Sequence, residues 1–149
     1  MKVNSLQIDC AKLAGFNGPQ YQILVDGELI NHYLNRRTRS RDFDRMVPPV
    51  DLVDPTDQQQ VVNLLGQRDS VLPILVSSDL MDLTGTVIAV RVTSAAGVVK
   101  WESFWYGLDM SRPIRVQGMV FDEAAYDVFV AKVKDYIALP FSQFFKDQG

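Results

Sequence analysis

The groups in this chain that could do chemistry are few, and most are carboxylates. Asp79 and Asp82 share one polar stretch, and Glu102, Asp109 and Asp122 follow farther along. Asp and Glu alone can run acid–base chemistry when two of them converge in a pocket and their pKa values separate. Nothing in the spacing imposes that convergence, and solvated loop charges with Asp122 capping a helix account for the same residues. His32 is the only histidine and Cys10 the only cysteine. His32 falls at the end of an expected strand, with no Gly-x-Ser-x-Gly elbow to serve. Cys10 falls inside another strand, where burial would leave its thiol inert. A zinc site would have to be dominated by carboxylates, which is unusual. No P-loop, Gly-x-Gly-x-x-Gly or EF-hand spacing occurs. The chain therefore reads as non-enzymatic, with no catalytic residues, no metal ligands and no cofactor. A small enzyme or small-ligand-binding protein using loop carboxylates is one alternative, and an adaptor or structural protein is another.

The elements that would position these groups are legible from periodicity. Ile88, Val90 and Val92 alternate with Val87, Ala89, Arg91 and Thr93, a period of two favoured by β-branched residues on a pleated surface. Ser94 to Gly97 supplies a loop, and Val99, Trp101, Ser103 and Trp105 resume the alternation. Folding the two strands about that loop sets Val92 opposite Val99 and Val90 opposite Trp101. The same alternation sends Trp101 and Trp105 to one face, and Phe104 and Tyr106 to the other. A helix then begins at Asp122, a good N-cap, with Phe121 placed to pack on Tyr126 as a hydrophobic staple. Tyr126, Phe129, Val130, Val133 and Ile137 form a single stripe that covers the hairpin, and Leu139-Pro140 ends it.

Upstream, Leu6, Ile8 and Cys10 alternate in an opening strand, and Tyr21, Ile23 and Val25 alternate up to Asp26-Gly27, a type I′ turn signal. Glu28 to Tyr33 can return as a third strand, giving a meander. Asp54-Pro55 starts a helix over Pro55 to Leu65, stopped by Gly66. Val71 to Val76, interrupted by Pro73, reads as a short strand with edge character. Gly107 to Gly118 reads as irregular, with a last short strand at Gly118 to Val120. The aromatic tail around Phe141, Phe144 and Phe145 is expected to dock on the core or on a partner. The fold class is α+β: a mostly antiparallel sheet of about five to seven strands, with a long C-terminal helix and one shorter helix packed on it, in a single globular domain over residues 1–149.

Composition bounds the function classes. At 149 residues, 47% hydrophobic and 22% charged, the chain can build a core without disulfides or metals. A net charge of −3 argues against general nucleic-acid binding. Arg36, Arg37, Arg39, Arg41 and Arg45 lie within ten residues and could track phosphates, but Phe43 is the only aromatic among them. A solvated, self-neutralising connection into Asp51, Asp54 and Asp57 is the simpler reading. One cysteine permits no intrachain disulfide and fits a reducing compartment. No apolar leader is apparent at Met1 to Ser5, and no apolar run approaches the ~18 residues that span a bilayer. A cytoplasmic protein without membrane or nucleic-acid partners is expected.

The pattern Pro73-Ile74-Leu75-Val76, Ile88 to Thr93, Val99-Lys100-Trp101-Glu102-Ser103-Phe104 and Phe121-Asp122 with Tyr126 resembles a loosely defined group of small bacterial proteins. These share a V-x-W-x-x-F strand followed by F-D-x-x-x-Y at the start of a C-terminal helix. Similar layouts occur among the immunity proteins that accompany polymorphic toxins. The resemblance covers roughly Val47 to Tyr136, and its motifs are structural. Some relatives carry a Cys-rich turn before the central strand; Ser78 to Gly85 contains no cysteine, which removes any metal or redox role for that turn. The resemblance implies a protein partner, a cognate toxin domain, and no catalysis. If that toxin is basic, an acidic surface would steer its association. Asp51, Asp54, Asp57, Asp79, Asp82 and Asp109 are then expected as rim charges, and Trp105 and Tyr106 as anchors.

Overall fold

The computed structural model of the protein describes residues 3–12 and 19–138. Within them the order is β1 (Leu6–Lys12), β2 (Pro19–Val25), β3 (Glu28–Leu29), α1 (Ile30–Thr38), β4 (Met46–Val47), α2 (Pro55–Leu65), β5 (Ser70–Ser77), β6 (Val87–Ala95), β7 (Val98–Tyr106), β8 (Arg112–Ile114), β9 (Met119–Asp122) and α3 (Glu123–Ala138). The strands form two antiparallel sheets. One has three strands in the order β1-β2-β3; the other has six, β4-β5-β6-β7-β8, with β9 also paired to β7. The fold is α+β, its strands divided between these two sheets. The expected tail and the Leu139-Pro140 stop lie outside the described residues.

The large sheet is organised on the β6–β7 hairpin, but in a register different from the alternation argument. Its turn is the two residues Ala96-Gly97, at φ 54° and 82°, so Ala95 pairs with Val98 and Val92 faces Trp101, not Val99. A two-residue turn with both φ positive matches strand twist better than a four-residue loop, and Gly97 makes it cheap. A second departure follows: Val92 pairs with Trp101 but Arg91 with Ser103, leaving Glu102 unpaired as a β-bulge. The bulge resets the alternation, so Trp101 and Phe104 share a face. Both are fully buried, with centroids 6.3 Å apart in edge-on contact.

Onto that face packs α3. The Ala125 amide donates to Asp122 Oδ2 at 3.2 Å, and the Phe121 and Tyr126 rings stack at 5.9 Å, so the expected cap and staple are both present. Tyr126, Phe129, Val130, Val133 and Ile137 are its buried residues, each large side chain stabilising by about 1.5–3 kcal/mol. Trp101 Nε1 donates to the Tyr126 hydroxyl at 3.2 Å in this interior. Outside it, Arg68 lies over the Tyr126 ring at 5.3 Å and pairs with Asp127. Helix α2 spans the residues expected, with Pro55 in its first turn and the Thr56 amide donating to Asp54 Oδ1 at 2.8 Å.

The strand expected over Glu28 to Tyr33 stops after Leu29, and α1 takes its place. Ile30 and Leu34, four residues apart, point into the core. Asn31 is buried beside them and donates to the carbonyls of Phe43 and Met46 at 2.6 and 2.8 Å. Those bonds tether the segment after the helix, and they reward a helical placement of Asn31 that local propensity does not. Likewise β8 lies within the stretch expected to be irregular. The two sheets meet at Asn4, whose amide donates to the Val120 carbonyl at 2.6 Å while its Oδ1 accepts from the Val120 amide at 3.0 Å.

Candidate functional site

The segment before α2 and the loop between β5 and β6 converge on one surface. The Val53 amide donates to the Met81 carbonyl at 3.1 Å, and the Leu83 amide donates to Asp57 Oδ2 at 3.2 Å. Asp82 closes the loop by accepting from the amides of Thr84 and Gly85, both at 3.1 Å. Met81 sits at φ 50°, a left-handed conformation unusual for a non-glycine residue, and its amide donates to the Ser77 carbonyl at 3.0 Å. The loop is therefore held by its own hydrogen bonds and by the start of α2.

The two joined segments carry five of the expected rim carboxylates. Asp51, Asp54 and Asp79 are exposed, and Asp57 and Asp82 are partly covered. Three of them have structural work as well: Asp54 caps α2, Asp57 anchors Leu83, and Asp82 closes its turn. Each accepts backbone amide hydrogens, and none of the three makes an ion pair among the described residues. Arg45 borders the patch through its carbonyl, which accepts from the Ser78 amide at 3.0 Å. The sequence has no Lys or Arg from Met46 to Gln67, nor from Asp69 to Val90.

Among the carboxylates stand two apolar residues that inspection of charges alone passed over. Val53 is 75% exposed and Leu80 54%, and the Val53–Met81 bond holds their two strands of chain side by side. They are two of the four large hydrophobic residues exposed among the described residues. The signal available in the sequence was the placement of each between aspartates, Asp51-Leu52-Val53-Asp54 and Asp79-Leu80-Met81-Asp82. Leu80 is backed by Gly85: a methyl group added there would sit 2.6 Å from Leu80 Cδ1.

The expected anchors sit elsewhere. Trp105 is half-buried opposite Ala89 and donates its indole N–H to Ser103 Oγ at 2.8 Å. Tyr106 falls on the other face of the strand, stacked on Phe43 at 6.2 Å and covered on its outer side by Arg112, whose guanidinium carbon lies 4.2 Å from the ring centroid. Asp109 is exposed in the turn after β7. The Tyr106 end nevertheless joins the acidic patch, because Gly85, Thr86 and Val87 lead from the Leu80 loop along a cleft of about 640 Å³ whose far wall is Tyr106, Gly107, Ser111 and Arg112.

The remaining chemical candidates are dispersed. His32 is exposed on α1, and Cys10 is partly covered on β1, with burial raising its thiol pKa. Glu28 takes a two-point contact from Arg36, at 3.1 and 2.8 Å, and that hydrogen bonding holds its carboxyl below the usual range. Arg41 pairs with Asp44 at 2.9 Å, so the arginine-rich stretch is partly neutralised in place. Among the described residues no cluster of three or more His, Cys, Asp or Glu could hold a metal ion, and no helix is long and apolar enough to cross a membrane. Comparison of the chain with protein-family models, with curated proteins and with solved structures finds no match.

Proposed function

We propose that this is a non-enzymatic, cytoplasmic protein-binding protein, an immunity protein that neutralises a cognate bacterial toxin through the surface built by Val53 and Leu80. The observation that carries the reading is the placement of two exposed aliphatic side chains on a hydrogen-bonded loop pair whose segments also carry five aspartates. Binding energy concentrates in a few apolar anchors surrounded by a polar rim that excludes water. Held in place beforehand, such anchors cost little ordering on association. The carboxylate rim adds long-range attraction for a basic partner, raising the association rate at low salt more than the affinity of the docked complex.

Affinity capture from lysate of the native organism tests the reading when wild type and Leu80→Asp are run in parallel. A single near-stoichiometric protein, basic and corresponding to the toxic C-terminal part of a larger secreted chain, should be retained by wild type and lost by the variant. Retention of the same protein by both would remove Leu80 from the interface. A retained partner with no toxic activity would favour an adaptor role.

A further inference from the structure

The cleft beside the acidic patch has features that docking at Val53 and Leu80 does not use. Two opposite charges border it and neither is spent. The Asp42 carboxylate has no hydrogen bond or ion pair among the described residues, and Arg112 makes no ion pair, its guanidinium being engaged only with the Tyr106 ring. Arg36–Glu28 and Arg41–Asp44 are opposite charges that meet directly, whereas Asp42 and Arg112 line one cleft without an ion pair.

Both are mounted on fixed supports. Asp42 precedes Phe43, which is buried, receives a hydrogen bond on its carbonyl from Asn31, and donates its amide to Asn35 Oδ1 at 3.0 Å. Arg112 pairs with Tyr106 across β7–β8, so the ring under its guanidinium is clamped between Phe43 and the arginine itself. The turn joining the two strands is closed by the Ser111 amide and hydroxyl, which donate to the Tyr106 carbonyl at 3.0 and 2.9 Å. Gly107, at φ 82°, keeps that wall open, since a methyl group there would meet the Asp109 carboxylate at 2.5 Å. Thr86 and Val87 line the same cleft. At about 640 Å³ the space falls within the ~300–1,000 Å³ of small-molecule sites, where a few placed polar groups orient a ligand on an apolar floor.

We propose that this cleft binds a small zwitterion, its ammonium on Asp42 and its carboxylate on the free edge of the Arg112 guanidinium, with an aliphatic spacer lying over Val87. A guanidinium stacked on an aromatic ring keeps its N–H edge available and loses little freedom on meeting a carboxylate. A ligand with one charge only would leave the opposite group unanswered and bind more weakly.

Amide chemical shifts of the full chain, titrated with ω-amino carboxylic acids from glycine to 6-aminohexanoic acid at constant ionic strength, test this. Butylamine and butyrate serve as single-charge controls. One or two adjacent spacer lengths should give saturable shifts confined to Asp42, Thr86, Val87 and the turn from Gly107 to Arg112, with at least fivefold weaker binding in Asp42→Asn and in Arg112→Gln. Both side chains are exposed, so the variants should keep the wild-type spectrum elsewhere. The proposal is overturned if no length saturates, if butylamine or butyrate alone binds as tightly, or if both variants bind unchanged. Loss of toxin capture by Leu80→Asp has no bearing on these outcomes, so the two proposals fail separately.

Discussion

The amide of Val53 reaches the carbonyl of Met81 at 3.1 Å, and with the Leu83 amide on Asp57 Oδ2 at 3.2 Å it joins two aspartate-rich loops distant in the sequence. Without it Val53 and Leu80 would be isolated exposed aliphatics of the ordinary kind. With it they are two exposed aliphatics on joined segments that also carry five aspartates, which is why the functional reading rests on them and not on the tryptophans.

Gly85 offers a way to disturb that centre without unfolding the protein. A Cβ at Gly85 meets only the end of the Leu80 side chain, which can rotate away. Gly85→Ala should therefore leave the urea midpoint within ~0.5 kcal/mol of wild type, while partner affinity falls severalfold as Leu80 is displaced. Gly118→Ala makes the opposite case. There the added carbon would lie 2.5 Å from the Trp101 carbonyl oxygen and 2.7 Å from that of Glu102, both backbone atoms at the bulge. That substitution should cost about 1–3 kcal/mol, as overpacking against backbone does.

Tyr126→Phe removes the acceptor of the Trp101 indole hydrogen in a fully buried environment. A buried donor left unsatisfied costs about 1–3 kcal/mol, and chemical denaturation should register a loss in that range. The variant should also show a red-edge change in tryptophan fluorescence, because Trp101 loses its hydrogen bond.

Alkaline pH should destabilise the fold through its phenols. Burial raises the pKa of Tyr126, and burial followed by the nearby Cys10, Asp51 and Tyr136 raises that of Tyr21. Each folded-state pKa lies above its unfolded value near 10, so the native chain holds more protons at high pH. The stability these groups contribute is then fully present below pH ~10 and is lost as pH rises through the folded values. Denaturation midpoints measured from pH 8 to 11 should be level and then fall, and the fall should be shallower in Tyr126→Phe.

Helix α2 is where local signals alone should predict a number. Asp54→Ala removes the side-chain acceptor of the Thr56 amide, and loss of an N-cap costs about 0.5–2 kcal/mol. Because Asp54 also carries one of the rim charges, the same variant should slow association with a basic partner at low salt, an effect that vanishes as salt is raised.

Legibility in the sequence follows the range of the interactions. Helix α2 and the start of α3 are readable to the residue because cap, staple and stripe are local: Asp54 with Pro55, Asp122 with Phe121 and Tyr126. Helix α1 was not, because Glu28 to Tyr33 has the composition of a returning strand and its helical state is secured by Asn31 reaching Phe43 and Met46. The Glu102 bulge was hidden for a related reason. Alternation along one strand carries no record of which partner residue is skipped, and the two-residue turn at Ala96-Gly97 shifted every pair with it. For the site, the aspartates were evident by type, whereas the joining of the Val53 and Leu80 segments depends on a Val53–Met81 bond that no local pattern encodes. Trp105 and Tyr106 drew attention by size, and their ring and hydroxyl partners within the fold could be seen only in three dimensions.

The most direct test of the protein-binding surface is parallel affinity capture with wild type and Leu80→Asp, after circular dichroism has shown that both are folded. The account predicts one basic partner retained near stoichiometrically by wild type and depleted at least tenfold on Leu80→Asp. Equal recovery of that partner on both baits would contradict it.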